Sequence, residues 1–276
     1  MTSYDLHSHT TASDGTLTPG ELVKRAKLAG VDVLAITDHD TTEALLPACM
    51  AARSYGISVI NGCEISVTWA GITVHVLGFN VDPENARLQK GLSQIREHRD
   101  ARAREIALKL EKAGIPGAFT GAEKHAKGSL ISRTHFAHFL AEGGYAKDVR
   151  SVFKHFLVKG KPGFVAGQWA QLGDVVDWIT AAGGQAAIAH PARYKLTRTK
   201  LIRLIEEFKQ AGGEGIEVVS GSHSRDECFT MAKHARDFDL LASAGSDFHG
   251  PENPWVELGR LPDLPPGCEP IWNSWH

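Results

Sequence analysis

The chain has 276 residues, 42% hydrophobic and 22% charged, with a formal net charge of −2: an ordinary globular composition, long enough for one large domain or one domain with an insertion. No apolar run reaches the roughly 18 residues of a membrane span, and the polar start from Met1 to Thr10 lacks the basic and apolar regions of a secretion signal. Cys49, Cys63, Cys228 and Cys268 form no CxxC pair, which excludes a zinc ribbon or thioredoxin-type motif and leaves reduced thiols and a cytoplasmic location as the expectation.

Tyr4-Asp5-Leu6 reads as a short strand. Thr18-Pro19-Gly20-Glu21 then reads as a helix start, with Thr18 as cap, Pro19 in the first turn and Glu21 closing a capping box; Gly30 ends that helix. Val33 to Ile36 suits a buried parallel strand, and a helix from about Glu43 to Tyr55 leads to a strand at Ile57 to Ile60. Ile65 to Thr68 and Ile72 to Phe79 read as a hairpin turning at Ala70-Gly71. A long helix from about Glu84 to Lys112 is broken by Gly114, Pro116 and Gly117, and two further helices are expected near Thr134 to Glu142 and Asp148 to Val158. No strand pattern occurs from Gln94 to Lys161. Residues 96–165 are therefore expected to be a helical insertion between a first part, 1–95, and a second part, 166–276.

That middle stretch is also basic. Arg96 to Lys161 holds 14 Lys or Arg against 7 Asp or Glu, a net +7, so the remainder carries −9. Such asymmetry points to an anionic partner, or else to a solvated helical face. The alternation then resumes. A helix at Leu172 to Ala182 precedes a strand at Ala186 to Ala189, one at Lys200 to Gln210 precedes Gly215 to Val219, and one at Arg225 to Asp237 precedes Leu240 to Ala244. Repeated βα units with buried strands imply a parallel sheet, open or closed into a barrel. The segment after Pro251 is expected to pack as a loop.

Metal-binding residue types gather at the strand ends. His7-Ser8-His9 puts two imidazoles on one face of an extended segment. Asp38-His39-Asp40 follows the second strand, Glu64 the third, His190 a later one, and Asp247 and His249 the last; His75 lies in the hairpin. Singly, Asp14 in Ser13-Asp14-Gly15 could be a turn residue, His39 a polar loop residue, His190-Pro191 a strand terminator, and Ser246 to His249 another turn. Their joint position at the end where parallel α/β folds carry their sites favours one cluster. Imidazole and carboxylate without thiolate suit zinc, manganese or iron. A carboxylate can bridge two such ions, and ions so placed can activate water and neutralise a phosphoryl group, which favours phosphoester hydrolysis. No GxSxG-type nucleophile motif is present.

As a set, Asp5 to Thr10, Ser13-Asp14-Gly15, Ile36 to Asp40, Gly62-Cys63-Glu64, His75, Ala189-His190-Pro191 and Gly245 to His249 resemble the polymerase and histidinol phosphatase (PHP) family over nearly the whole chain. The resemblance implies an α/β fold, a distorted (β/α)7 barrel, with a helical insertion and a site for three divalent cations, manganese first and zinc or iron as alternatives. It implies a first ion held by His7, His9, Glu64 and Asp247, a second by Glu64, His75 and His190, and a third by Asp14, His39 and His249. Asp14 stands where some relatives have His. Catalytic roles are expected of Glu64, His190, Asp247 and Asp40; Asp38 and Asp40 would orient His39, with Asp40 also available for proton transfer.

The insertion with Ile131 to Phe136 further resembles the family branch of nucleoside 3′,5′-bisphosphate phosphatases and related 5′-to-3′ exoribonucleases. This implies removal of the 3′-phosphoryl group from a 5′-phosphorylated nucleotide, and trimming of short RNA by the same bond cleavage. Arg133 is the first choice for holding the distal phosphate, because its planar fork matches phosphate; Ser132, His135 and His223 are further substrate-binding candidates. The alternatives are a phosphatase for histidinol phosphate or another small phosphomonoester, and a non-catalytic metal-bound module contacting nucleic acid or a polymerase.

Overall fold

Seven strands form one sheet in chain order: β1 (Tyr4–Asp5), β2 (Val33–Ile36), β3 (Ser58–Trp69), β4 (Ile72–Phe79), β5 (Gln185–Ile188), β6 (Gly215–Ser220) and β7 (Leu241–Gly245). The computed structural model describes residues 2–275; Met1 and His276, at the outer ends of the expected first and last segments, lie outside them. Leu6 N–H donates to the Ala244 carbonyl and Ser8 bridges Phe248, so β1 meets β7 and the sheet closes almost fully into the expected distorted barrel.

The distortion lies in β3 and β4. β1-β2-β3 and β5-β6-β7 pair in parallel, whereas β4 is antiparallel to both its neighbours. The sequence suggests two separate runs at Ile57 to Ile60 and Ile65 to Thr68, but they form one 12-residue strand. The polar Asn61-Gly62 between them is not a break. It is the point where β3 changes partner, from β2 up to Asn61 to β4 from Gly62 onward. Gly62 is required there, because a Cβ would stand 2.9 Å from the Gly78 carbonyl oxygen and 3.0 Å from that of Ile36. Glu64 consequently lies within a strand rather than after one.

Helices cover the outside. α1 (Pro19–Leu28) begins with the expected Thr18–Glu21 capping box, and α2 (Leu45–Tyr55) packs beside it over β2. Inside the barrel, Leu6, Ala35, Leu77, Phe79, Ala187 and Ala189 are closed off by Ile271 and Trp272 of the C-terminal segment. Tyr4 stacks on Trp272 with ring centroids 4.3 Å apart. The end opposite the plug is thereby left for the polar site.

α3 (Ala86–Lys112) belongs to two cores. Leu88, Leu92 and Ile95 pack with the barrel and its outer helices. Ala103, Ile106, Ala107 and Leu110 pack instead with α4 (Ala118–His125), α5 (Arg133–Glu142) and α6 (Val149–Val152), which continues as a π-helical turn, Phe153–Leu157. The sequence does not announce α4, a short helix with Gly121 in its middle. Gly121 is used for close packing: a Cβ there would lie 2.2 Å from the Phe139 ring. The chain returns through α7 (Leu172–Ala181), α8 (Arg198–Gln210) and α9 (Arg225–Asp237). Among the described residues, no helix is long and apolar enough to cross a membrane.

Arg99 ties α3 to the barrel. Its guanidinium is buried, donates to Asp40 Oδ2 and to Ser66 Oγ (2.9 Å), and lies over the Trp169 ring at 5.1 Å. Asp40 is also buried and accepts from Ser66 N–H at 2.7 Å. Removing one partner of a buried pair strands the other charge, at a cost of about 3–5 kcal/mol. Arg99→Met should therefore lower the urea midpoint by an amount equivalent to about 3–5 kcal/mol, with an unchanged slope; a midpoint near that of the parent would show that Asp40 does not need the cation.

Candidate metal centre

Backbone ladders carried past the strand ends assemble the site. Asp247 N–H donates to the His7 carbonyl and His9 N–H to the Phe248 carbonyl, both at 2.9 Å, so the two motif segments run side by side beyond β1 and β7. Beyond β2, Asp40 N–H donates to the Glu64 carbonyl at 2.9 Å and Glu64 N–H to that of Asp38 at 3.2 Å. His75 pairs with Ser66 across β3 and β4, on the face that also carries Glu64. Tyr194 joins this edge to the next strand: its hydroxyl donates to the Ala189 carbonyl (2.9 Å) and accepts from His75 N–H (2.7 Å).

Asp38 does a different job from the one expected. It is buried and accepts from Thr10 N–H (2.8 Å), Thr10 Oγ1 (2.7 Å) and Ser13 Oγ. It therefore fixes the turn that presents Asp14 rather than the ring of His39.

The structure brings all nine expected ligand residues to one place. His7 Nε2 and His9 Nε2 each lie 3.3–3.4 Å from Glu64 Oε2 and Asp247 Oδ1. Such edges suit a cation about 2.0–2.2 Å from each atom. A second group contains His39, Glu64 and His75, and a third His9, Asp14, His39 and His249. His39 thus faces both, and His9 adds to the expected third set. His190 meets the second group through Nε2, 2.8 Å from Glu64 Oε1. Seven ring or carboxylate atoms of the cluster are buried without a hydrogen-bond partner: His7 Nε2, His9 Nε2, Asp14 Oδ1, His39 Nδ1, Glu64 Oε2, His75 Nδ1 and His190 Nδ1. Buried polar atoms are rarely left bare, and these are mostly metal-ligating atoms turned toward one another. The donor set fits a multi-metal site.

The charges respond to this crowding. Burial by itself would raise the Glu64 carboxyl, but His75, His39 and His7 outweigh it and hold it well below the usual range. Asp14 and Asp247 behave alike, under His249 with His39 and under His7 with His9 respectively. Burial opposes protonation of His249, yet Asp14 and Asp247 lift it to about 9; His7 and His39 are raised in the same way by their carboxylates. Burial dominates for His9, pushed down to about 3, and for His75, pushed down to about 4.

The cleft over this cluster is lined on its other side by Arg99, Arg102, Ser132, Arg133, Thr134, Phe153, Trp169 and Arg193. Of the substrate-binding candidates, Arg133 and Ser132 line it. Ser132 Oγ and Thr134 Oγ1 donate to Asp14 Oδ2 at 3.3 and 3.0 Å. His135 does not: its Nδ1 accepts from Ser132 N–H and caps α5. His223 is bound by Nδ1 to the Val218 carbonyl and is absent from the lining. Asp40 does not line the cleft either, and both its oxygens accept hydrogen bonds from Ser66 and Arg99.

Sequence reading passes over Arg99, Arg102, Trp169 and Arg193, which come from α3, the segment before α7 and the turn Pro191–Tyr194. Arg193 alone carries a local signal, standing three residues after His190. Its Nη1 donates to Asp247 Oδ2 at 2.8 Å.

A PHP domain profile matches residues 5–220. A 3′,5′-nucleoside bisphosphate phosphatase of Chromobacterium violaceum is 50% identical over 275 residues, 99% of this chain and 96% of that protein. The 5′-3′ exoribonuclease Rnm of Escherichia coli is 46% identical over 275 residues, 99% and 94% respectively. Among solved structures, a Chromobacterium violaceum amidohydrolase with bound sulfate and no metal superposes with a TM-score of 0.95 at 49% identity, covering 99% of this chain and 95% of that one. A candidate metal-dependent phosphoesterase from Bifidobacterium adolescentis gives 0.83 at 26% identity, covering 98% and 93%.

Ligation needs imidazole lone pairs, and the neighbouring carboxylates favour the protonated forms of His7, His39 and His249. Metal uptake should therefore expel protons and tighten as pH rises toward about 9, where His249 loses its own. Calorimetric titration with Mn2+ at neutral pH should give heats that differ between buffers of different ionisation enthalpy, by a net proton release. Equal heats would contradict this electrostatic picture.

Proposed function

The chain belongs to the PHP domain family, and from that premise we propose that it hydrolyses the 3′-phosphate of nucleoside 3′,5′-bisphosphates, giving nucleoside 5′-monophosphate and phosphate, and trims short 5′-phosphorylated RNA from its 5′ end. It is a metal-dependent phosphoesterase. In this reading residues 96–165 are a basic insertion in a barrel made of 1–95 and 166–276, and the enzyme acts in the cytoplasm, in keeping with its four unpaired cysteines.

The observation that carries the substrate assignment is Arg133. It shares the cleft with the histidine and carboxylate cluster, stacks over Phe153 at 5.7 Å, and its guanidinium makes no hydrogen bond among the described residues. Burial, and then Arg99 and Arg193, depress its basicity, so its charge is held against its surroundings. A second anionic group on the substrate relieves that, and phosphate matches the guanidinium fork. The other arginines are partly committed: Arg99 to Asp40 and Ser66, Arg102 through two donors to the Val165 carbonyl, Arg193 to Asp247. Phe153, partly exposed in the same lining, supplies aromatic surface for the nucleoside.

Three divalent cations, manganese ahead of zinc or iron, would be held by His7, His9, Glu64 and Asp247; by Glu64, His75 and His190; and by Asp14, His39 and His249. When bound they supply Lewis acidity to water and to the phosphoryl oxygens. The chain's own residues orient the rest. Arg193 holds Asp247 with Nη1 and keeps its other N–H groups for the phosphoryl group beside it. Ser132 and Thr134 steady Asp14 from α5, so the helix that begins with Arg133 also touches the proposed third site. A substrate spanning both phosphates is thereby set at a fixed distance from the cluster.

Phosphate release is to be compared for 3′,5′-bisphosphoadenosine, histidinol phosphate and an aryl phosphate, with a short 5′-phosphorylated oligonucleotide in parallel. The bisphosphate should show the highest kcat/KM. Arg133→Ala should cost it about 10- to 100-fold, the value of one charged hydrogen bond, and leave the aryl phosphate nearly unchanged. Equal losses on both would remove Arg133 from substrate selection. Glu64→Ala should abolish turnover of all four with the circular dichroism spectrum retained; near-normal turnover would end the metal-centred assignment.

A further inference from the structure

Glu217 stands in the middle of β6, a strand whose six residues are all buried. Ile216 and Val218 on either side pack into the outer core, so Glu217 points into the barrel. The register of β6 against β7 shifts between Glu217 and Val219, a local irregularity of the kind that re-aims a side chain.

Both its oxygens are used, and both accept. Oε1 lies 2.9 Å from His7 Nδ1, and Oε2 accepts from the backbone N–H of His190 at 2.6 Å. An ionised carboxylate cannot donate. It therefore holds a proton on His7 Nδ1 and leaves Nε2, which faces Glu64 and Asp247, as the nitrogen that a cation can take in place of a proton. The same carboxylate pins His190, whose backbone sits at φ +28°, outside the ordinary range for a residue with a side chain. That ring reaches Glu64 Oε1 through Nε2. Space is reserved for the arrangement at Gly245, where a Cβ would stand 2.3 Å from His7 Cβ and 2.9 Å from Glu217 Oε1.

We infer that Glu217 is a positioning residue that couples two parts of the metal centre, by setting the tautomer of His7 and the backbone of His190 with one carboxylate. The inference rests on the reading of the cluster as a metal site. It requires a residue with two acceptors. Glutamine is isosteric but has one acceptor and one donor, so it can satisfy His7 or the His190 N–H and opposes the other.

Glu217→Gln is the test, read by Mn2+ titration of the metal-free protein and by thermal unfolding without metal. The variant should fold and bind Mn2+ about 10- to 100-fold more weakly, the usual loss for a group behind a metal-bound histidine. Mn2+ affinity within twofold of the parent would overturn the inference. Parent protein that takes up no Mn2+, Zn2+ or Fe2+ would instead overturn the metal-site reading. Should the variant not fold, nitrogen-15 NMR of the Zn2+-loaded parent decides: a His7 proton on Nδ1 supports the assignment, and a proton on Nε2 defeats it.

Discussion

Glu64 is wholly out of contact with water, and a carboxylate taken into such a place costs several kcal/mol unless positive charge meets it. Here imidazoles surround it on several sides, meeting it with charge or with ring N–H groups. His75 and His190 lie 2.8 Å from Oε1, His39 lies 2.9 Å from Oε2, and His7 and His9 lie 3.4 Å from Oε2. These side chains come from four different strands or strand ends, so the need to compensate one anion draws most of the barrel rim inward. Protons and metal cations are alternative ways of meeting it. That is why the same residues read as ion pairs without metal and as ligands with it.

The distortion of the barrel serves this anion. In a regular parallel barrel Glu64 would sit beyond a strand end, where water reaches it. The change of partner at Asn61 and Gly62 lets β3 continue past the point where β2 leaves it, and carries Glu64 into a paired, dry stretch. The antiparallel β4 then returns His75 alongside, two residues before Leu77, which stands opposite Glu64. Fold irregularity and site chemistry are one event on the chain.

This also explains what the sequence discloses and what it withholds. His7, His9, Asp247 and His249 are legible because they lie in tight motifs directly after apolar runs, and backbone pairing beyond those runs does the rest. The apolar runs give a parallel sheet, open or closed; its seven strands and near closure are implied by the family resemblance. Glu64 is legible as a residue but not in its setting, since Asn61-Gly62 looks like a strand end. His135 misleads because a histidine after a Ser-Arg-Thr start can cap its own helix as well as face a ligand. Arg99 and Arg102 are hidden for another reason: which face of α3 meets the cleft depends on how a 27-residue helix is phased against two different cores. Glu217 is visible as an acid inside an apolar strand, but only its two partners give that meaning.

The site holds three residues with side chains at positive φ, Asp40, His190 and Asp247. Each such conformation costs on the order of 1–3 kcal/mol and persists only where the surroundings over-determine it. Asp40 is held by Ser66 and Arg99, Asp247 by the His7 carbonyl and Arg193, and His190 by Glu217 and Glu64. Every strained residue is thus fixed by a charged partner, and two of those partners, Arg99 and Arg193, also line the cleft. The two walls differ in one respect. Around the cluster each carboxylate has its imidazoles, whereas on the helical wall Arg133 forms no ion pair among the described residues. The electrostatics of the cleft are completed only when a negatively charged group arrives beside Arg133, at a distance from the cluster set by α5. In the proposed reading, a nucleotide with phosphates on both sides of its ribose would supply that charge, whereas a monophosphate bound at the cluster would not.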